Sequence, residues 1–564
     1  MTVSARAAHY GCFDPHRGAP GALTLTDGWT PLSSARGTTA IAGIFYGQDS
    51  LSGDALLQGR AIDADGRYAL AACDDAGREL RLARDPAGSV ALYWHRDSAG
   101  RVHFATTLHA LLARLPAAPA LSRDGLHEYL RFLDIAAPNT VFDGVYALQA
   151  GQAMAFGARG SHAPASVLAA PAVPADYAAA CTELEARLRD AIARRLAGSR
   201  ASACFLSGGV DSALLCALAR ADGHRIDAWT VGFDAAELDE SPTAARIAQH
   251  LGVPHHVLRV DADALETAFG RAHAQAEQPY CDPAGAPTRL AFEACAAHAD
   301  RVLDGTGAEA LPGEMPARWR RIAHDWIAPL PAGLRRAATQ TLRALPGLDG
   351  YARMTAFATA QDLFIRWQGF SAEDIQRLTG HVPDFSGTHF YRCFDALRGA
   401  SPLRRQAVLQ GLALPDDRLQ QAALATGLRV EHPFAAPDVS ALMQALPEPW
   451  CHRPDRPKRV LRDLLARHVP EAVWASPKRG FNIDLPGLLR GHDHRLLRRY
   501  LCDAVALARL PLDPDEVVRW RDRFMAGDDG ATHRVWALLN LSAWLESRGN
   551  AASVLAAQPR PRLQ

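Results

Sequence analysis

The segment Ser207-Gly-Gly-Val-Asp-Ser212 restricts the fold of this chain more than any other stretch. The residues before it, 201–206, form a short apolar run typical of a buried parallel strand, and residues 213–220 form an Ala- and Leu-rich run typical of a helix. A strand that enters a helix through Ser-Gly-Gly directs unpaired backbone N–H groups and the positive end of the helix dipole at one point. The sequence therefore predicts an α/β unit with an oligophosphate site at the end of this strand.

The side chains of this loop suit a nucleotide phosphate that carries a magnesium ion. Gly208 and Gly209 let the backbone approach phosphate oxygens without a Cβ in the way. The hydroxyls of Ser207 and Ser212 add donors, and Asp211, an anion in a phosphate site, makes sense mainly as a ligand for Mg²⁺. The alternative interpretation is a plain Gly-Gly turn between a strand and a helix.

Composition narrows the class of protein. Lys plus Arg and Asp plus Glu both number 61 in 564 residues, so no global charge favours nucleic acid or an anionic membrane. No apolar run approaches the roughly 20 residues of a membrane span, and the N-terminus lacks the pattern of a secretory signal. Ten scattered cysteines without a C-x-x-C pair are typical of reduced thiols rather than a zinc site or disulfides. We expect a cytoplasmic enzyme.

The clearest linker runs from residue 159 to residue 174 and is rich in Pro, Ala and other small residues. Before it, short strand-like segments alternate with turn residues, which indicates a β-rich layered domain. After it, a helix and then strand–helix alternation to about Gly307 indicate a parallel sheet, and the remainder is largely helical. We expect an α/β protein with one domain over residues 1–160 and a second over residues 175–564.

Three segments carry a resemblance to a known family. Residues 207–212 resemble the pyrophosphate loop of ATP pyrophosphatases, which split ATP into AMP and pyrophosphate. Residues 83–93 and 138–151 resemble parts of the glutaminase domain that precedes such a unit in asparagine synthetases. The chain is therefore similar to the asparagine synthetase family over most of its length. The resemblance implies a glutaminase-like layered αββα domain followed by an ATP-pyrophosphatase parallel-sheet domain with a helical tail.

The chemistry of a glutaminase is missing from the first domain. Such a domain needs a cysteine as its first residue after Met removal, because its own α-amino group is the base, and position 2 is Thr2. The glutamine-holding Arg-Gly-Pro-Asp segment is absent, and no asparagine precedes Asn139. Cys12 could act only if a protease exposed it, and a Thr2 nucleophile would still lack the pocket. We expect a structural domain that packs on the synthetase half.

The resemblance also assigns roles around the nucleotide. It implies that Leu206 and Val231 contact adenine and that Gly305 lies in a second phosphate-side loop. In that loop Glu309 stands where the family has its second magnesium carboxylate, beside Asp211. Two other carboxylates of the family motif, which help to hold aspartate and ammonia, are replaced by Thr306 and Ala310. The pattern predicts that ATP and Mg²⁺ are retained and that the substrate is not aspartate.

The helical tail adds two lysines and one weaker candidate. By resemblance, Lys458 contacts the pyrophosphate and Lys478 lies near the adenylate carbonyl, where a cation stabilises the leaving group and the oxyanion. Asp417 belongs to a group that could take the amine proton. The sequence does not identify the general base.

With no internal ammonia source, the attacking amine is expected to come from the substrate itself. Family members of this description are β-lactam synthetases and the isopeptide-forming cyclases of lasso peptides, and the departures after Asp304 favour the cyclase. The expected partners are a precursor peptide, with a leader-binding protein and a cysteine protease of the same pathway. The alternatives are a divergent asparagine synthetase, a β-lactam synthetase-like enzyme, or a non-catalytic nucleotide-binding scaffold.

Overall fold

The computed structural model describes residues 9–17, 21–46, 54, 57, 64–158, 160–162, 172–345, 347–352, 354–365, 369–412, 417–475, 481 and 483–548. Its strands are β1 (Tyr10–Phe13), β2 (Leu23–Leu25), β3 (Thr30–Leu32), β4 (Gly37–Phe45), β5 (Gly66–Asp74), β6 (Glu79–Arg84), β7 (Tyr93–Arg96), β8 (Val102–Ala105), β9 (Val145–Ala147), β10 (Ala153–Gly157), β11 (Gly160–His162), β12 (Ser202–Phe205), β13 (Ile226–Phe233), β14 (His255–Val260), β15 (Arg301–Leu303) and β16 (Arg429–Glu431).

The α-helices are α1 (Leu108–Leu112), α2 (Arg123–Phe132), α3 (Tyr177–Leu196), α4 (Val210–Ala221), α5 (Ser241–Leu251), α6 (Ala262–Gln275), α7 (Gly285–Ala296), α8 (Arg318–Ile322), α9 (Ala332–Ala344), α10 (Asp349–Ala352), α11 (Ala372–Thr379), α12 (His389–Ala396), α13 (Pro402–Gly411), α14 (Asp417–Thr426), α15 (Pro437–Ala445), α16 (Glu448–Cys451), α17 (Arg459–Ala466), α18 (Glu471–Trp474), α19 (Leu485–Leu497), α20 (Ala504–Arg509), α21 (Pro514–Met525) and α22 (Thr532–Ser547). Short 3₁₀ turns lie at Ala308–Ala310, Ala360–Phe364, Pro433–Ala435 and Asp529–Ala531, and π turns at Ala323–Ile327 and Arg498–Cys502.

The N-terminal half contains two antiparallel sheets. Their strand orders are β2-β1-β8-β7-β9 and β11-β10-β6-β5-β4-β3. Alternation along β5 explains why both faces of the second sheet are covered, since successive side chains of a strand point to opposite faces. Ala69 and Ala71 join the core that also holds Phe104 of the first sheet, whereas Tyr68 and Leu70 join a separate cluster on the other face. The sheets are therefore stacked, as the layered domain requires.

Helices α1 and α2 cover the outer face of the first sheet. Each begins where a hydroxyl side chain caps it: Thr107 accepts from the amide of Ala110, and Ser122 from the amide of Gly125. Leu108 in α1 packs in the same core as Tyr93 in β7 and Ala105 in β8. That core continues into the C-terminal helices, so the two halves share one apolar interior.

The C-terminal half is built on a parallel sheet in the order β14-β13-β12-β15-β16. The chain order therefore reverses between β12 and β15. One face packs against α3, α4 and α15, and the other against α7 and α14, which makes the sheet doubly wound. The carboxyl ends of β12 and β15 border the point of reversal, where ligands of open α/β sheets bind.

The fold class predicted from the sequence is confirmed: an α/β chain with a glutaminase-like N-terminal domain and a C-terminal parallel sheet with helices. Within the described ranges, no helix is long and apolar enough to cross a membrane.

Candidate active site

The phosphate loop, residues 207–212, follows β12 and ends in the first turn of α4, at the reversal point of the parallel sheet. Its two serines hold each other: the hydroxyls of Ser207 and Ser212 lie 2.9 Å apart, and the Ser207 amide donates to the Ser212 hydroxyl at 3.0 Å. The Ser207 hydroxyl also accepts from the Gly209 amide at 3.1 Å. Gly209 is the N-cap residue of α4 and makes no side-chain hydrogen bond to the helix. The first amides of α4 are therefore not covered by a capping side chain.

Packing as well as access to a ligand favours glycine at position 208. A Cβ at this position would lie 3.2 Å from the Cβ of Thr243, tighter than an ordinary van der Waals contact. Thr243 belongs to α5, which follows the neighbouring strand β13. The glycine therefore lets α5 close against the phosphate loop, a need that sequence reasoning assigned only to the ligand.

Lys458 and Asp211 form a buried ion pair across 247 positions of the chain. The Lys458 ammonium donates to Oδ2 of Asp211 at 2.6 Å and lies 3.6 Å from Oε1 of Glu314. Although burial favours the neutral amine, the carboxylates of Asp211, Glu314 and Glu309 raise the pKa of Lys458 above its ordinary value. The site thus holds a fixed cation where the resemblance places a pyrophosphate contact.

The backbone of Lys458 is itself in an uncommon conformation. Its φ of 52° is in the left-handed region, and it stands as the N-cap residue of α17. Its amide donates to the carbonyl of Gly313 at 3.0 Å, and a Cβ at Gly313 would lie 2.8 Å from the Lys458 Cγ. Left-handed backbone at a residue with a side chain costs of order 1–3 kcal/mol and is concentrated at functional sites. The residue in this strained conformation is the one whose ammonium contacts Asp211.

The loop after β15 closes the site from the other side. Gly305 packs directly on the phosphate loop, since a Cβ there would lie 3.3 Å from both the Asp211 Cβ and the Ser212 amide nitrogen. Gly307 has a φ of 99°, and its amide donates to Oε2 of Glu309 at 2.9 Å. The two loops that the sequence predicted to face one ligand are therefore in contact.

The carboxylates fit a magnesium ion in one specific respect. Oδ1 of Asp211 is buried and has no hydrogen-bond donor among the described residues, so an acceptor oxygen stays available beside the loop. With Glu309 it would hold Mg²⁺ through hard oxygen ligands, and nucleotide phosphates and water would complete the coordination. In the described part of the chain, no group of three or more His, Cys, Asp and Glu side chains forms a metal cluster.

The two predicted adenine contacts lie beside the phosphate loop. Leu206 is buried and immediately precedes it, and the hydroxyl of Thr230 donates to the Leu206 carbonyl at 2.6 Å. Val231, the next residue of β13, is only half-buried. The fold thus brings both residues to one end of neighbouring strands, while their contact with adenine stays a prediction.

Two predicted catalytic residues lie outside what can be described. Lys478 falls in the segment 476–480, beyond the described residues. Asp417 begins α14, but its side chain is also outside the description. Their roles stay predictions. Sequence reasoning missed Glu314, which follows Gly313 directly, although an acidic residue next to the phosphate-side loop was a visible signal.

The N-terminal domain presents Cys12 as an interior strand residue. In β1 it lies opposite Thr24 on one side and His103 on the other. Because residues 9–11 precede it, its nitrogen is a backbone amide and not a free α-amino group. Burial raises the pKa of its thiol. Asp85, from the glutaminase-like segment, is fully buried and accepts from the amides of Ser89 and Val90. The contacts described for Cys12 and Asp85 are therefore contacts that hold the domain together.

Fold and site together define a nucleotide-binding α/β enzyme with a loop for an oligophosphate at the switch point of its sheet. Comparison with protein families gives two matches: asparagine synthase over residues 183–546, and a glutamine amidotransferase domain over residues 55–165. The chain belongs to the asparagine synthase family, whose members are ATP-dependent ligases that form carbon–nitrogen bonds.

Two relatives cover most of the chain. A putative glutamine-hydrolysing asparagine synthetase of Mycobacterium bovis is 26% identical over 500 residues, which span 85% of this chain and 76% of that protein. Asparagine synthetase 1 of Bacillus subtilis is 20% identical and spans 82% and 74%. Among solved structures, the glutamine-dependent NAD⁺ synthetase of Acinetobacter baumannii is 18% identical over 34% of this chain and 42% of that chain, with a TM-score of 0.18, too low to imply a common fold.

Proposed function

We propose that the protein activates a side-chain carboxylate of a peptide with Mg·ATP and joins it to an amine of the same peptide, closing an isopeptide bond. The carboxylate attacks the α-phosphorus of ATP and releases pyrophosphate, and the amine then displaces AMP from the acyl-adenylate. One observation carries this proposal. The phosphate-side residues Ser207, Asp211 and Lys458 are gathered, while Thr306 and Ala310 stand where the acceptor carboxylates of an asparagine synthetase belong.

An intramolecular reaction suits a chain whose first domain lacks the glutaminase residues. No ammonia has to be delivered if the amine is part of the substrate. Holding both ends of one molecule in register supplies an effective molarity of roughly 10⁵ M or more. The expected cofactors are ATP and Mg²⁺, the latter held by Asp211 and Glu309.

Exposed apolar side chains in the segment after Glu314 support a large substrate. Ile322, Trp326, Leu330 and Leu334 recur every four residues and are 36%, 77%, 46% and 62% exposed. In sequence this segment follows Glu314, whose carboxylate lies 3.6 Å from the Lys458 ammonium. The same segment carries arginines at 318, 321 and 336, so a peptide with apolar and acidic side chains would suit it.

The proposal is tested by supplying candidate substrates with Mg·ATP and following AMP and product mass. A peptide with a free N-terminus and an internal Asp or Glu should release pyrophosphate and give a product one water lighter. Free aspartate with ammonia should give little turnover, because Thr306 and Ala310 offer no carboxylate to the ammonium groups. Efficient asparagine formation would exclude the cyclase. The pathway's leader-binding protein and cysteine protease are added in a parallel arm, since we expect them to deliver the trimmed peptide.

The second candidate is a divergent asparagine synthetase, favoured by the names of the relatives. It predicts the opposite result with aspartate and ammonia, so the same experiment separates the two. A β-lactam synthetase-like enzyme would instead cyclise a small amino acid derivative and leave the peptide unchanged. In each case we place the reaction in the cytoplasm, where ATP and Mg²⁺ are available.

A further inference from the structure

A buried polar network joins the N-terminal domain to the end of strand β16. The hydroxyl of Tyr46 donates to Oε2 of Glu431, and both side chains are almost completely buried. Arg67 donates to the carbonyl of Val430 at 2.9 Å. Arg195 lies over the Tyr46 ring at 4.8 Å. Two residues of the N-terminal domain, Tyr46 and Arg67, therefore bind the carboxyl end of β16.

The guanidinium of Arg195 is fixed in turn by Asp65 of the N-terminal domain. The two form a bidentate pair at 2.7 and 2.9 Å, and Arg195 is buried. Bidentate pairs of this kind fix the orientation of the two side chains as well as attracting them to each other. The ring of Tyr46 is thereby held between a fixed cation and the Glu431 carboxylate, which gives its hydroxyl a single orientation.

The Tyr46–Glu431 contact is linked to the nucleotide site through Asp304 and the residues that follow it. The Glu431 carbonyl accepts from the amide of Asp304 at 2.9 Å, and the next residue, His432, lies 3.7 Å from the Asp304 carboxylate. Asp304 in turn accepts from the Thr306 amide at 2.9 Å. The segment after Asp304 contains Gly305, which packs on the phosphate loop, and Glu309. A displacement of Glu431 would therefore be transmitted to the loop that carries Glu309.

We propose that Tyr46 is a positioning residue of the synthetase site, and that the N-terminal domain acts on this site through its Tyr46–Glu431 contact, which sets the loop that carries Glu309. The inference does not depend on which carboxylate the enzyme activates, because it concerns the loop that carries Glu309 and not the site of the substrate carboxylate. It predicts that the contact affects the affinity for Mg·ATP and not the affinity for metal-free ATP.

The test compares the Kd of the full chain for ATP with Mg²⁺ and with EDTA, by calorimetry. Tyr46→Phe should raise the Kd for Mg·ATP by about fivefold or more, since a hydrogen bond to a charged group is lost, and should leave the Kd for metal-free ATP unchanged. The matched control is Tyr68→Phe, because that hydroxyl is buried in the same domain but donates to the carbonyl of Ala64. The control should change neither constant.

Unfolding midpoints measured on the same samples separate positioning from stability. A lower midpoint with both Kd values unchanged, or an equal rise in the two, would overturn the proposal. If Tyr46→Phe proves too unstable for calorimetry, Glu431→Gln removes the charged acceptor of the same contact and should show the same split. A Glu431→Gln protein without that split would refute the coupling.

Discussion

Replacing Lys458 with Met tests the ion pair on which the candidate site depends. The change removes the ammonium and keeps a side chain of similar length. Asp211 would lose a donor at 2.6 Å, and Glu314 would lose a cation at 3.6 Å. The Lys458 side chain is 9% exposed and that of Asp211 24%, so solvent compensates only in part. The variant therefore leaves a largely buried carboxylate unpaired.

The expected loss of stability is large for one substitution. Removing one partner of a buried ion pair costs about 3–5 kcal/mol, and we expect the lower end, about 3 kcal/mol, because Asp211 keeps some access to water. Mg²⁺ should reduce this deficit, since the metal offers a replacement cation for the free oxygen of Asp211. Affinity for ATP should fall roughly 10- to 150-fold, which corresponds to one hydrogen bond to a charged group.

The pH dependence of this deficit has a definite sign. The native pKa of Lys458 is raised by its carboxylate neighbours, so its contribution is complete below the unfolded value of about 10.4 and is lost as pH rises toward the native pKa. The difference between wild type and Lys458→Met should therefore be constant from neutral pH to about pH 10.

The assays are urea unfolding with and without Mg²⁺ and calorimetric titration with ATP. Arg459→Met is the matched control: it removes the same charge one position away, where the guanidinium lies over the Tyr177 ring at 4.0 Å and pairs with Asp463 at 3.7 Å. The control should bind ATP as wild type does. Wild-type affinity and stability in Lys458→Met would refute the site as described.

Four further outcomes are expected. Asp211→Asn should reduce AMP formation by about 10²-fold or more, because the loop loses its metal-binding charge; an unchanged rate of AMP release would remove it from the site. Lys478→Ala should bind ATP normally but form product about 10²-fold more slowly in single-turnover assays. Glutamine should not be hydrolysed, and Cys12→Ala should leave synthesis unaffected; glutamate release that vanishes in this variant would restore the glutaminase interpretation. Burial lowers the pKa of His127 to about 4, so the stability that it contributes is complete above the unfolded value of about 6.5 and is lost as pH falls toward 4. His127→Gln should flatten that part of the stability curve in urea unfolding at pH 5 and pH 7.

The phosphate loop was predictable from sequence because its determinants are local. Ser-Gly-Gly at a strand end fixes both the backbone path and the donor groups, and the structure places residues 207–212 after β12 and across the start of α4, as the pattern indicated. The departures at Thr306 and Ala310 are equally local, since they are read from a motif of adjacent residues. The fold class followed from the same source, because alternation of strands and helices leaves few arrangements of a parallel sheet.

The contacts between distant segments were decided by tertiary structure alone. Nothing in the sequence pairs Lys458 with Asp211, 247 positions earlier, until α4 and α17 pack against each other. Likewise glycine is favoured at position 208 partly because α5 closes against it, which depends on the packing of two helices.

The Tyr46–Glu431 contact shows the same limit across domains. Its partners lie 385 positions apart, and each alone is an ordinary tyrosine or an ordinary acidic residue in a short strand. Burial gives the pair its effect, because a carboxylate and a hydroxyl withdrawn from water each need a polar partner. Sequence alone thus determined which chemical groups this chain carries and which local turns they form. Only the three-dimensional packing decided which of those groups meet, because charge pairing and desolvation act between atoms that are close in space, whatever their separation along the chain.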